Sequence, residues 1–138
     1  TAVGAALSQK SPVVLFTGDM AFFYDRNAFW HNYNLKNLRI IVFNNHGGGI
    51  FRMIDGPKRH PELEEYFETK QKLNAENTAN DFGFEYHSCS NQKDLKECLQ
   101  TFFESSKNAK IIEIQTNSER NTEVLMEYKK TILDAFKA

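Results

Sequence analysis

Two short stretches of the chain set oxygen-bearing side chains beside small residues: Thr17-Gly18-Asp19 and Asn44-Asn45-His46-Gly47-Gly48-Gly49. Asp19 offers a hard anionic oxygen and Asn45 a neutral amide oxygen. The glycine run lets backbone carbonyls and N–H groups approach a ligand with no Cβ in the way. Few oxygen ligands with one formal charge suit Mg²⁺ (or Mn²⁺) whose other ligands are phosphate and water. A helix expected to begin near Ala21 adds free N–H groups and a positive dipole end, which suit a diphosphate. Taken singly, each stretch reads as a plain turn. Together, at equivalent strand ends of one βαβ unit, they favour a metal–diphosphate site. The chain has no Gly-Lys-Ser/Thr and no GxGxxG at a strand–helix junction, so both common nucleotide cradles are excluded.

The elements that must position these residues alternate in type. Val13 to Phe16 and Leu38 to Phe43 are continuous apolar runs, which predict strands buried on both faces. Phe84 to Ser88 and Ala109 to Gln115 predict two more. Between them, helices are expected at Thr1–Leu7, Ala21–Tyr33, Leu73–Phe82 and the segment after Asn91, which pairs with Asp94 as an N-cap. The Ala21–Tyr33 helix carries Phe22, Phe23, Phe29, Trp30 and Tyr33 around most of its circumference and is expected to be deeply buried. After Asn91, Leu95, Cys98, Leu99, Phe102 and Phe103 follow helical spacing. A last helix gathers Val124, Leu125, Tyr128, Ile132, Leu133 and Phe136, read as packing against the sheet. This alternation predicts an α/β fold, a doubly wound parallel sheet with helices on both faces. Ligands in such folds collect at the carboxyl ends of the strands, where both stretches lie.

The chain has 138 residues, 41% hydrophobic and 25% charged, with a net charge of −1, as expected of one ordinary globular domain. That balance gives no electrostatic case for nucleic acid or an anionic membrane. No apolar run is long enough for a membrane span. Cys89 and Cys98 fit neither a CxxC motif nor a disulfide framework, so a reducing cytoplasm is the expected compartment. The opening Thr1–Leu7 reads as the middle of a packed helix, which suggests a domain of a longer protein.

Gly18-Asp19, one helix, one strand and then Asn44-Asn45 resemble the signature of the thiamine diphosphate enzymes. Within that superfamily, Tyr24-Asp25-Arg26-Asn27 and Asn44–Phe51 resemble the synthases of menaquinone biosynthesis. These decarboxylate 2-oxoglutarate and add the succinyl-semialdehyde unit to isochorismate. The resemblance runs the length of residues 1–138, as a single carboxyl-terminal, diphosphate-binding domain. It implies thiamine diphosphate and Mg²⁺ as cofactors, with Asp19 and Asn45 as side-chain metal ligands and Gly47 as a carbonyl ligand. Gly18, Met20 and Ala21 would line the diphosphate, Met20 and Ala21 through backbone N–H groups. Ala21 stands where relatives often carry Ser, so a hydroxyl contact is missing. Ile50 would face the cofactor and, with Phe51, the substrate, although two apolar residues after a glycine loop equally read as core. His46 is not expected to be a ligand.

The family's ylide-forming glutamate lies in another domain, usually on a second subunit, and nothing in this chain matches that domain. The resemblance therefore implies the rest of its own chain and a second subunit as partners, and no catalytic residue within these 138. Two alternatives stay open: another thiamine diphosphate-dependent 2-oxo-acid decarboxylase or acetohydroxyacid synthase, and a flavodoxin-like module binding a phosphoryl ligand. Asp25 and Asn27 read as structural residues bonded to a neighbouring loop. Lys58, Arg59 and His60 read as a solvated loop, and Cys98 as inert core. His31 and His87 give no functional signal.

Overall fold

Leu38–Asn44 is the most enclosed strand of the chain, buried at every position but Phe43. In chain order the elements are α1 (Ala2–Ser8), β1 (Val13–Gly18), α2 (Asp19–Asp25), β2 (Leu38–Asn44), α3 (Ile50–Met53), α4 (Glu76–Phe82), β3 (Glu85–Cys89), α5 (Gln92–Phe102), β4 (Lys110–Gln115) and α6 (Ser118–Ala135). The computed structural model describes residues 1–137. These form two compact units: Thr1–Asn44 with Leu73–Gln115, and Asn45–Lys72 with the segment that begins at Thr116.

The first unit holds the sheet. Its four strands run parallel in the order β1-β2-β4-β3, with Leu15, Ile40, Ile111 and Tyr86 level across it. Side chains alternate between the faces of a strand. Ile40, Val42 and Ile111 therefore meet Ala6 of α1, Phe22 of α2, Phe29, and Ala79 of α4 on one face. Ile41 and Ile112 meet Phe102 of α5 on the other, with Leu95 and Cys98 packed beside them. The parallel sheet with helices around it is the predicted architecture.

Three expectations need correction. β1 is not buried on both faces: Phe16 is 64% exposed and Val14 38% exposed, β1 being an outer strand of the sheet. The helix expected over Ala21–Tyr33 begins at Asp19 and ends at Asp25, followed by one 3₁₀ turn, Arg26–Phe29. Aromatic residues on all sides of one helix cannot all face a single sheet. Phe22 and Phe29 reach the core, whereas Tyr24, Trp30 and Tyr33 are exposed, as are Asp25 and Asn27. The apolar stripe of α6 is likewise largely in solvent, including Tyr128, Leu133 and Phe136.

Two networks of buried polar groups lie inside the first unit. Glu113, fully buried on β4, accepts hydrogen bonds from Asn44 Nδ2 at 2.7 Å, Ala75 N–H at 3.1 Å and Tyr86 Oη at 2.5 Å. Burial pushes the Tyr86 phenol well above its usual range, and the bond to Glu113 pushes it the same way. At the carboxyl end of α5, Arg39 donates to the carbonyls of Phe102 at 2.6 Å and Glu104 at 2.7 Å, while Lys110 donates to that of Thr101 at 2.8 Å. These cations occupy the negative end of the helix dipole and satisfy carbonyls that have no partner within the helix. Its amino end is closed as predicted, Asn91 accepting from the Lys93 and Asp94 N–H groups.

The second unit is built around charge. Arg52 Nη2 lies 2.5 Å from Glu68 and 3.1 Å from Glu64, and Lys70 lies 3.0 Å from Glu64. Among the described residues no helix is long and apolar enough to cross a membrane.

The Glu113 network yields a graded expectation. Tyr86→Phe removes one donor and should cost about 1 kcal/mol, whereas Glu113→Ala strands three donors and should cost about 3 kcal/mol or more. Urea unfolding of both variants checks the order, and equal losses would contradict it.

Candidate functional site

The residues of the predicted site fall in both units, Gly18 to Ala21 in the first and Asn45 to Phe51 in the second. In the first, Gly18 pairs in register with Phe43, so the ends of β1 and β2 lie level. Gly18 is extended (φ −82°, ψ 162°) and occupies the N-cap position of α2. Asp19 is the first residue of that helix and only 2% exposed, Met20 is half-buried and Ala21 exposed. The helix thus starts two residues earlier than expected, which places the N–H groups of Met20 and Ala21 within its first turn. No intrahelical acceptor reaches N–H groups at that position.

In the second unit the glycine stretch is packed tightly. A Cβ on Gly47 would meet the Glu68 carbonyl oxygen at 2.7 Å and its Cγ at 3.2 Å. One on Gly49 would collide with the Asn45 amide. At Gly47 the obstacle is backbone, so only glycine fits there for want of space, whereas at Gly49 the Asn45 side chain would have to move. Gly48 N–H donates to the Glu68 carbonyl at 2.6 Å, and Gln71 N–H donates to that of His46 at 3.0 Å. His46 itself lies in the left-handed region at φ 62°.

Beyond the loop, Ile50 is exposed and opens α3, while the Phe51 ring packs on Phe67 with centroids 5.8 Å apart. A cleft of about 330 Å³ lies beside the loop, lined by Asn45, His46, Glu68, Lys70 and Asn117 among others. Burial drives the Glu68 carboxyl upward, but hydrogen bonding to Arg52 and the Arg52 charge bring it below its ordinary value, so it is ionised. Lys58 and Arg59 lie exposed on a 3₁₀ turn near Asp55, Lys58 at 2.6 Å, as a solvated loop should.

A protein-family model described as "Thiamine pyrophosphate enzyme, C-terminal TPP binding domain" matches residues 1–114, a span that contains Asp19, Asn45 and Gly47. The chain belongs to this family. The flavodoxin-like alternative is thereby set aside. The 2-succinyl-5-enolpyruvyl-6-hydroxy-3-cyclohexene-1-carboxylate synthase of Cytophaga hutchinsonii is 54% identical over 136 residues, 99% of this chain and 24% of that protein. The synthase of the same name from Christiangramia forsetii is 43% identical over 128 residues, 93% of this chain and 22% of that protein. The chain spans about a quarter of the length of these curated relatives.

Among solved structures, benzoylformate decarboxylase from Polynucleobacter necessarius superimposes with a TM-score of 0.70 at 20% identity. The superposition covers 85% of this chain and 23% of that one, and it supports the fold of the thiamine pyrophosphate-binding domain.

Sequence reasoning missed Glu68 and Arg52, which brace this domain's glycine loop, and Glu113, which anchors Asn44. Glu68 stands in an acid-rich stretch that reads as solvated, and nothing local marks it as buried. Glu113 does carry a signal, being the one acidic residue of its strand and flanked there by Ile111, Ile112 and Ile114.

The tight contact at Gly47 makes an expectation for the domain. Gly47→Ala should destabilise the protein by about 1–3 kcal/mol, the usual cost of overpacking against atoms that cannot retreat. Thermal unfolding measures it, and an unchanged midpoint would show that the loop has room to spare.

Proposed function

We propose that this chain is the thiamine diphosphate-binding, carboxyl-terminal domain of a menaquinone-biosynthesis synthase. The full enzyme decarboxylates 2-oxoglutarate and adds the succinyl-semialdehyde unit to isochorismate, a transferase activity. The observation that carries this reading is 54% identity along 99% of the chain to a protein of that name. It favours this synthase over another 2-oxo-acid decarboxylase or an acetohydroxyacid synthase. The two free cysteines fit a reducing cytoplasm.

The residues present suit the cofactor. Asp19 supplies a carboxylate, Asn45 an amide oxygen and Gly47 a backbone carbonyl, the hard oxygen donors that Mg²⁺ or Mn²⁺ takes when phosphate and water complete its shell. The glycine loop has the Cβ-free backbone that a closely approaching ligand requires. Gly18 and the N–H groups of Met20 and Ala21 would receive the diphosphate, Ile50 would face the cofactor, and Ile50 and Phe51 the substrate. When bound, thiamine diphosphate supplies the electron sink for loss of carbon dioxide from a 2-oxo acid. The chain's own residues bind and orient. The activating glutamate would come from the rest of the protein, on a second subunit.

Two expectations test this reading. Asp19→Ala in the longer protein should cost several kcal/mol of cofactor binding, because the metal bridge also neutralises the phosphates. Calorimetric titration with thiamine diphosphate and Mg²⁺ measures it, and equal affinity in both proteins would remove the site assignment. Separately, residues 1–138 alone should form no adduct from 2-oxoglutarate and isochorismate with cofactor and Mg²⁺ present. Turnover by the fragment would overturn the division of labour.

A further inference from the structure

Glu68 touches the glycine loop with its backbone and α3 with its side chain. Its carbonyl oxygen accepts the Gly48 N–H at 2.6 Å. Its carboxylate, 1% exposed, pairs with Arg52 Nη2 at 2.5 Å. Arg52 is itself tied to the loop, since its backbone N–H donates to the Gly49 carbonyl at 3.1 Å. Residues 48 to 52 and residue 68 thus form a ring closed by one backbone hydrogen bond and one buried ion pair.

That ring controls a direction. The carbonyl of Gly47 and the N–H of Gly48 belong to one planar peptide unit and point to opposite sides of it. While the Gly48 N–H is held on Glu68, the Gly47 oxygen is turned away from Glu68. Three successive glycines have little stiffness of their own to hold that orientation. Within the loop the Gly49 N–H reaches the Gly47 carbonyl at 3.0 Å, and from outside it the lack of room for a Cβ at Gly47 shows how closely Glu68 is set against the peptide. Arg52 is only 18% exposed, and Glu64 at 3.1 Å and Glu119 at 3.8 Å add to its charge environment. It is therefore a firm anchor for the Glu68 side chain.

We infer that Glu68, anchored by Arg52, is a positioning residue that aims the Gly47 carbonyl oxygen for metal binding. The inference rests on the reading above that Gly47 is a metal ligand. Neither Glu68 nor Arg52 touches the metal; both act through the Gly47–Gly48 peptide. Groups that orient metal ligands in this indirect way typically change metal affinity by roughly 10–100-fold when replaced.

The test uses the full-length synthase and Mn²⁺ as the probe. Free Mn²⁺ is followed by electron paramagnetic resonance at saturating thiamine diphosphate, well below the unfolding midpoint of each variant. Glu68→Gln and Arg52→Gln should each weaken Mn²⁺ binding about tenfold or more, while Arg52→Lys, which keeps the charge and one donor, should recover most of the loss. Asp19→Ala serves as the reference for the site itself. If Asp19→Ala weakens Mn²⁺ binding but Glu68→Gln and Arg52→Gln bind as wild type, with only a lower unfolding midpoint, the positioning role is overturned and the site stands. If Asp19→Ala binds Mn²⁺ as wild type, the site assignment falls and this inference with it. Should Glu68→Gln fail to fold, the contrast between Arg52→Gln and Arg52→Lys decides: equal affinity in the two overturns the role.

Discussion

A buried carboxylate on β4, that of Glu113, constrains the carboxyl end of the sheet. A polar group taken out of water is costly unless hydrogen bonds replace those it gave up. Glu113 recovers them from a side chain of β2, a side chain of β3 and the backbone just before α4. Each donor comes from a different part of the chain, so the carboxylate is satisfied only when all three are in place. The last residue of β2, Asn44, is caught in this arrangement and also donates to the Leu73 carbonyl at 3.0 Å.

The two units are stabilised by different means. The first buries aliphatic and aromatic side chains on both faces of a sheet, and its buried polar groups serve mainly to close strand and helix ends. The second has few buried apolar residues, with Leu63 the principal one among those described. Its order comes instead from Arg52 and the carboxylates around it, and from backbone hydrogen bonds between the glycine loop and residues 68–71. Such an arrangement specifies geometry more than it supplies stability, because paired charges must offset their own desolvation.

What could be read from the sequence follows the range of the interactions. The strands were legible as apolar runs, and the Asn91–Asp94 cap because its partners lie within one helical turn. The opposite end of α5 was not, since the Arg39 that caps it is 63 residues from Phe102. Hydrophobicity marked Phe16, Trp30 and Tyr128 as residues to bury but could not say against what, and all three are exposed. Asp19, Asn45 and Gly47 were singled out by a spacing that resembles a family, and their role at the site is a proposal. Glu68 was not, because its burial depends on Arg52, sixteen residues away, and on a backbone contact that any residue type could make.

The exposure of Trp30 has an optical side. It is the chain's one tryptophan, and 84% of its surface is open to solvent. An indole surrounded by water relaxes its dipolar environment after excitation and emits towards the red; one enclosed by apolar atoms cannot and emits towards the blue. The ring sits by a concave surface of about 360 Å³ that includes Phe29, His31, Tyr33 and Phe84. Whatever closes over that surface changes the colour of a single, unambiguous fluorophore, so the chain carries its own reporter of whether this face is wet or covered.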